Sequence, residues 1–262
     1  KTPELEGSHF LVWPEGNGKL ARALLERANA SIRLDALVTA LDVLPDNHVD
    51  VHWMDVREGT ARRTRARAVV LAAPAFISKR LLPKAAERLP VRTSSPWVVA
   101  NMHVTRPIDP NMAWDSVLYD AAGLGYVDAR HQLTQLSEQT VLTYYRAYGG
   151  PDVVEARKSL VQAPWARLAD DVLRDLHAAH PYLREEIERL DVCVWGHAMP
   201  RPRPGFLTDR PFEPLVRLDE RIVWAHADQP GMALFEESQA SGVRAAETLA
   251  SLLGVDLGAT WL

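Results

Sequence analysis

The segment RIVWAHADQPGMALFEESQASGVRAAETLASLLG, residues 221–254, constrains the fold of this chain most. It starts with an apolar run that ends at residue 227, continues through a polar turn with Gly231, and then becomes strongly helical in pattern. Small or apolar residues recur there at helical spacing, at Ala240, Val243, Ala246, Leu249 and Leu253. The segment therefore predicts a strand, a short turn and an amphipathic helix.

Such a unit has two possible interpretations, a ligand-binding site or a plain connection. In open α/β sheets, ligands bind beyond the carboxyl ends of the strands, where the first N–H groups of the next helix point outward. Gly231 would let a ligand approach the backbone closely. A plain connection between a strand and a helix, with no ligand, fits the same residues, and both interpretations stay open at this point.

A second buried strand is expected at residues 68–73, a continuous apolar run that Pro74 ends. So short a run is typical of a strand covered on both faces, as in a parallel sheet between helices. Two partly alternating segments, residues 31–45 and 48–56, precede it and predict strands joined by a turn.

The middle of the chain has another pattern. Residues 95–105 and 139–148 predict long strands with mixed faces, and shorter strands are expected at residues 116–120 and 124–128. Residues 165–190 have helical periodicity with a break at Pro181. These patterns predict an antiparallel sheet with helices, and with the segments above they give a mixed α/β fold.

Composition excludes several classes of protein. The 30 basic and 34 acidic residues give a net charge of −4, which offers no electrostatic case for nucleic acid or an anionic membrane. No stretch has the run of about 18 apolar residues that a transmembrane helix needs. The single cysteine, Cys193, lies in an apolar run, is expected in the core, and suits a cytoplasmic location.

Several catalytic motifs are absent from the chain. The segment GNGK lacks a phosphate loop's first glycine, because Trp13 stands in that place. There is no G-x-S-x-G and no H-E-x-x-H or paired-cysteine zinc spacing. His177 and His180 are three residues apart, but Pro181 follows at once and no partner ligand is evident, so no metal site is expected.

Five segments, in order, resemble the flavin-containing amine oxidase-type oxidoreductases, the family of monoamine oxidases, phytoene desaturases and protoporphyrinogen oxidases. They are WPEGNGKLARALLERA, IRLDALVTALD, RARAVVLAAPAFISKRL, WGHAMPRPRPG and RIVWAHADQPGMALFEESQASGVRAAE. The likeness is to the C-terminal two-thirds of that family. It implies part of a Rossmann-like FAD domain, residues 1–93 and 205–262, interleaved with a substrate domain of antiparallel sheet and helices, residues 94–204.

The resemblance also implies site residues. In this family the final turn passes the flavin, and the next helix points its N-terminus at the pyrimidine end of the ring, where a dipole favours negative charge. FAD contacts would then come from Val38, Ala73, Pro74, Trp195, His226, Asp228, Gly231, Leu234 and Phe235. Substrate contacts would come from Asn101, Tyr144 and Trp195.

Three features depart from the family. No G-x-G-x-x-G occurs, so most of a pyrophosphate site is missing from this chain. His226 stands where the family has glycine, and Asp228 is the nearest carboxylate for a ribityl hydroxyl. Asn101 stands where amine oxidases often have a lysine, and an amide is not cationic.

The expected function is that of a truncated FAD-dependent oxidoreductase that takes hydride from a small organic molecule, with no catalytic side chain assigned. The alternative is a non-catalytic binding protein with a degenerate flavoprotein fold. Apolar surface left by a missing segment would favour self-association, for example as a homodimer.

Overall fold

The structure is a computed structural model that describes residues 13–90, 93–106, 108, 113–133, 137–202, 204–206, 208 and 217–258. It divides into two compact units. The first takes in the described residues of Lys1–Ala30 and Ser95–Ala198, and the second those of Ser31–Ser94 and Met199–Leu262. The chain thus passes from the first unit to the second, back to the first and again to the second, and the segment Ser95–Ala198 of the first unit is inserted into the second.

Strands and helices follow one another in groups along the chain, with four strands after α1 and three helices after β8. The helices are α1 (Asn17–Arg27), α2 (Ala75–Leu81), α3 (Val153–Gln162), α4 (Trp165–His177), α5 (Leu183–Glu186) and α6 (Phe235–Leu253), with 3₁₀ turns at Pro83–Ala85 and Ala129–Gln132. The strands are β1 (Ala36–Val43), β2 (Val49–Asp55), β3 (Thr60–Ala66), β4 (Val69–Leu71), β5 (Ser94–Val104), β6 (Asp115–Val117), β7 (Gly125–Asp128), β8 (Thr140–Ala147), β9 (Ile187–Pro200) and β10 (Ile222–Trp224). The predicted mixed α/β fold is confirmed.

The first unit is built on a five-stranded sheet in the order β6-β7-β8-β5-β9. The pairs β6–β7, β7–β8 and β5–β8 are antiparallel, which confirms the antiparallel sheet predicted for the middle of the chain. Successive side chains of a strand point to opposite faces. On β5 the residues Val98, Ala100, Met102 and Val104 are buried, and those between them are half-buried.

In the described part of the chain, helices pack their buried side chains against one face of this sheet, and the opposite face is named the uncovered face. Leu168, Val172 and Leu176 of α4 form one core cluster with the buried residues of β5 and β8. The predicted break is confirmed, since α4 ends at His177 and a turn through Pro181 leads into α5. The other face of the sheet carries the half-buried side chains.

The second unit contains two separate sheets. Strands β1, β2 and β3 form an antiparallel sheet in that order, and β4 pairs with β10 in parallel. Leu41 of β1, Leu71 of β4 and Trp224 of β10 share one hydrophobic cluster. Strand β10 is fully buried along its length.

Strand β4 differs from its prediction. Val70 is 44% exposed, so the expected burial of this run on both faces is wrong at its centre. The physical reason lies in the sheet, which has only two strands among the described residues. The outer edge of β10 is closed by a bridge from Arg217 to Val223, whereas no described strand pairs with the outer edge of β4.

Two further expectations need correction. The side chains that α6 buries fully are Ser241 and Ala245, whereas Ala246 of the predicted stripe is exposed. Small side chains at these two places let the helix approach the sheet closely. Cys193 is exposed rather than in the core, because it lies on the uncovered side of β9, a strand at the sheet edge.

Within the described part of the chain, no helix combines the length and hydropathy that crossing a membrane requires.

The first prediction concerns packing between Gly123 and the buried Tyr144. A Cβ on Gly123 would lie 2.2 Å from the Tyr144 hydroxyl oxygen, and the Tyr144 side chain is fully buried. We expect Gly123→Ala to lower the free energy of unfolding by about 1–3 kcal/mol, measured by urea denaturation. Gly149→Ala is the matched control, since an added Cβ there meets nothing within 4 Å. Equal stability of the two variants would contradict the packing described.

Candidate flavin and substrate sites

The turn between β10 and α6 lies where two parallel strands end together. Because β4 and β10 run in parallel, their carboxyl ends share one edge of the sheet, and a helix begins shortly after each strand. Pro74 precedes α2, and its φ of −54° suits the entry into a helix. This edge has the arrangement in which α/β proteins bind ligands.

Asp228 ties the turn to the start of α2. Its Oδ2 accepts a hydrogen bond of 2.8 Å from the backbone N–H of Ala75, and the residue is only 9% exposed. Pro74, at the N-cap position, offers no side-chain acceptor for that helix. The carboxylate therefore caps α2 from a distant part of the chain, and a ribityl hydroxyl would have to compete with this bond.

His226 contacts Asp228 through its ring Nδ1, which also lies 3.4 Å from the Oδ1 of that carboxylate. Its Nδ1 lies 3.0 Å from the backbone nitrogen of Asp228 and accepts that N–H. In the neutral tautomer that accepts this bond, the proton is on Nε2, which can then donate to a ligand. The ring stacks on Trp224 at an interplanar angle of 11°, and 26% of the His226 side chain is exposed.

Hydrogen bonds hold the rest of the turn. The indole N–H of Trp224 donates to the carbonyl of Ala73 at 2.8 Å, and the side-chain amide of Gln229 donates to the carbonyl of Trp224. Gly231 is buried and has a φ of 76°, a conformation that other residues adopt only with strain. The turn is therefore rigid before any ligand arrives.

Helix α6 begins without a side-chain cap. Leu234, at the N-cap position, provides no acceptor for the first N–H groups of the helix, and it is 51% exposed. Glu236 and Glu237 lie in the first turn, where carboxylates favour the positive end of the helix. The N–H of Leu234 donates to the carbonyl of Met232 at 2.9 Å, so the N–H of Phe235, the first residue of α6, is the one placed to meet a carbonyl oxygen.

Val38 lies on β1 and packs against the core of the second unit. The pairing with β2 is irregular between Val38 and Ala40, so the strand bulges at this point. Its predicted adenine contact is through the backbone and stays a prediction.

The predicted substrate residues lie in the first unit, on two faces of its sheet. Asn101 is on the uncovered face, where its Oδ1 accepts a 2.8 Å bond from the Thr143 hydroxyl, so its amide N–H groups remain as donors. Trp195 is 57% exposed. A Cβ on the next residue, Gly196, would lie 3.6 Å from the side chain of Arg157 on α3. Because successive side chains of a strand alternate, the side chain of Trp195 points away from the helices. Tyr144 is buried in the helix-side core and donates to Asp175. Tyr144 is therefore outside the candidate substrate surface.

Residues that the sequence did not single out share the uncovered face. Trp97 and Tyr145 stack with ring centroids 6.4 Å apart and an interplanar angle of 17°. Burial and a hydrogen bond to Asp115 raise the pKa of Tyr145 to about 12, so the phenol stays protonated. The alternation of the strands could have indicated this face, but the stacking needs the register of β5 against β8.

The described residues contain no group of three or more histidine, cysteine, aspartate or glutamate side chains that could hold a metal ion.

Comparison with known proteins identifies the family. The family model of the flavin-containing amine oxidoreductases matches residues 2–250. The chain belongs to this family. No curated protein matches the chain significantly.

Solved structures share the fold at low sequence identity. Cyclohexylamine oxidase from Brevibacterium oxydans IH-35A is similar over 83% of this chain and 48% of its own, with 14% identity and a TM-score of 0.59. An oxidoreductase from Methanosarcina mazei matches over 89% and 54%, with 13% identity and a TM-score of 0.59. A Pyrococcus furiosus protein matches over 93% and 53%, with 11% identity and a TM-score of 0.52. The chain therefore spans about half the length of these structures, and they support the fold.

The second prediction concerns the cap that Asp228 provides. Asp228→Ala leaves the buried Ala75 N–H without its acceptor, so we expect a loss of about 1–2 kcal/mol in the free energy of unfolding. Asp228→Asn keeps a side-chain oxygen at this place and should lose much less. The measurement is thermal and urea unfolding of both variants; equal losses would show that the bond to Ala75 does not stabilise the fold.

Proposed function

We propose that this chain forms part of an FAD-dependent oxidoreductase that oxidises a small organic molecule. The observation that carries the proposal is the N-terminus of α6, which lacks a side-chain cap and follows a buried, rigid turn at the carboxyl end of β10. Membership of the flavin-containing amine oxidoreductases supports a flavin as the ligand. When bound, the flavin supplies the acceptor for a hydride removed from the substrate.

The residues of the turn fit a flavin in distinct roles. The N–H of Phe235 suits a carbonyl oxygen of a pyrimidine ring, and the positive end of α6 favours negative charge there. The N–H of Leu234 would first have to leave the carbonyl of Met232. Gly231 lets the backbone approach closely. His226 offers its Nε2–H as a donor.

Asp228 takes a positioning role in this proposal. Its Oδ2 is engaged by the Ala75 N–H, so it holds the turn against α2. Ala73 accepts from Trp224 and thereby fixes the turn against the end of β4 as well. These bonds keep the backbone in one conformation, which reduces the entropy lost on binding.

The uncovered face of the first unit is proposed as the substrate surface. Asn101 supplies neutral amide donors there, and Trp195 supplies an exposed aromatic surface. Neither side chain transfers protons at neutral pH, and Tyr145 stays protonated because its pKa is raised. The protein's own contribution would be to orient the substrate and to shield it from water.

A longer polypeptide is proposed to complete the cofactor site. The outer edge of β4 has no partner strand among the described residues, and Val70 on it is 44% exposed. A further parallel strand followed by a glycine-rich turn would extend the sheet and would bring the phosphate-binding backbone that this sequence lacks. The half-length match to the solved structures agrees with such an addition.

The alternative is a non-catalytic binding protein that has kept the fold without the cofactor. The absence of G-x-G-x-x-G from the sequence favours it. It predicts a colourless protein that takes up no FAD.

The third prediction tests the flavin directly. We expect the full gene product, purified without added cofactor, to show flavin absorption and to release FAD on denaturation. Gly231→Ala should weaken FAD binding by about tenfold or more, because the φ of 76° is strained for alanine and the turn would shift. FAD affinity is measured by fluorescence quenching during titration of the apoprotein.

Gly254→Ala is the matched control. Gly254 also has a positive φ, of 67°, but it ends α6 at the far terminus of the helix. It should lose similar stability and keep its FAD affinity. A colourless protein that fails to take up FAD would overturn the proposal. Equal losses of FAD affinity in both variants would show that the turn at Gly231 has no specific role in FAD binding.

A further inference from the structure

A second group of polar side chains converges in the first unit, at the carboxyl end of α4. A surface pocket of about 300 Å³ opens there, on the helix-covered side of the sheet and thus opposite to the face with Asn101. The residues that line it are Asp170, Leu173, Arg174, His177, His180, Leu183 and Arg184. Its basic side chains come from two helices and the turn between them.

His180 is fixed at the base of this pocket. Its Nε2 lies 2.6 Å from the hydroxyl oxygen of Tyr126, and the tyrosine ring is met edge-on at an interplanar angle of 74°. Tyr126 is 3% exposed and belongs to the core of the unit, so its ring cannot move with the imidazole if His180 changes its rotamer. The position of His180 is therefore set before any ligand binds.

The charges in the pocket are incompletely balanced. Arg174 uses one N–H group in a 2.9 Å bond to Asp171, and its guanidinium has five. Among the described residues, no side chain pairs with Arg184 or with His177. Asp170 is the one acidic residue among those that line the pocket. Arg174 is paired with Asp171 but keeps further N–H groups, and the guanidinium of Arg184 is the charge in the pocket that has no partner in the part of the chain that the structure describes.

The negative carboxyl end of α4 explains the position of only some of these basic residues. Basic residues in a last turn favour the negative end of a helix, and this accounts for Arg174 and His177 on α4. Arg184 comes from α5, and His180 from the intervening turn. Their presence in the same pocket has no such explanation.

We propose that this pocket binds a small oxyanion, a carboxylate or a phosphate group. Two guanidinium groups match the planar or tetrahedral oxygens of such a group, and His177 can add a hydrogen bond. Leu173 gives the pocket an apolar wall, which suits an anion with a short hydrocarbon body. The site is independent of the flavin.

The fourth prediction follows. Inorganic phosphate and succinate, titrated separately into the purified chain at constant ionic strength, should each be tested by calorimetry and by shifts of the histidine ring resonances. We expect saturable binding of at least one in the millimolar range. Arg174→Gln and Arg184→Gln should each weaken that binding by about three- to tenfold. The probe that binds more tightly distinguishes a phosphate ligand from a carboxylate.

Arg167→Gln is the control, since it removes the same charge from the first turn of the same helix, outside the pocket. It should leave the affinity unchanged. Absence of saturable binding for both probes would overturn the proposal, as would equal weakening in all three variants, which would indicate general attraction to net charge. Because no step involves FAD, this outcome is separate from that of the flavin experiment.

Discussion

The parallel pairing of β4 with β10 is the constraint on which the second unit depends. These strands are three residues each, yet they place the starts of α2 and α6 at one edge and fix the turn between β10 and α6. Short parallel pairs are weak by themselves. Here the side chain of Asp228 and the indole of Trp224 add bonds across the pair, to Ala75 and Ala73. Buried polar bonds of this kind hold a single arrangement.

The first unit depends instead on the difference between the two faces of one sheet. Alternation along β5 sends Val98 and Met102 into a helix-covered core and leaves Asn101 on the open side. The same alternation separates Tyr144 from Tyr145, adjacent residues with opposite surroundings. Strand β5 thus contributes side chains both to the core of the unit and to the surface proposed for substrate.

The strongly patterned elements could be predicted from the sequence, and elements without an apolar pattern could not. The long strands β5 and β8 and the helices α4 and α6 carry alternation or helical periodicity, and they were predicted. Strand β3, rich in arginine and exposed along almost its whole length, has no apolar face to detect. Helix α3 was also missed; it is short and buries only Leu160 fully. At the site, the sequence indicated Asp228 as the carboxylate of the turn. Its bond to Ala75 spans 153 positions in the sequence, so it could be found only in the folded structure. The resemblance to the flavoenzymes indicated the turn itself.

The second unit is interrupted by the inserted segment Ser95–Ala198, and this has a consequence for the order of folding. Strand β4 can meet β10 only after the chain between them has been gathered, and closing a flexible loop of about 150 residues costs on the order of 4 kcal/mol in entropy. The inserted sheet is joined by nearer contacts, so it can form first. Once folded, it brings its two ends together and shortens the effective loop that remains. We therefore expect the pairing of β4 with β10, and the turn that follows β10, to become ordered after the inserted sheet.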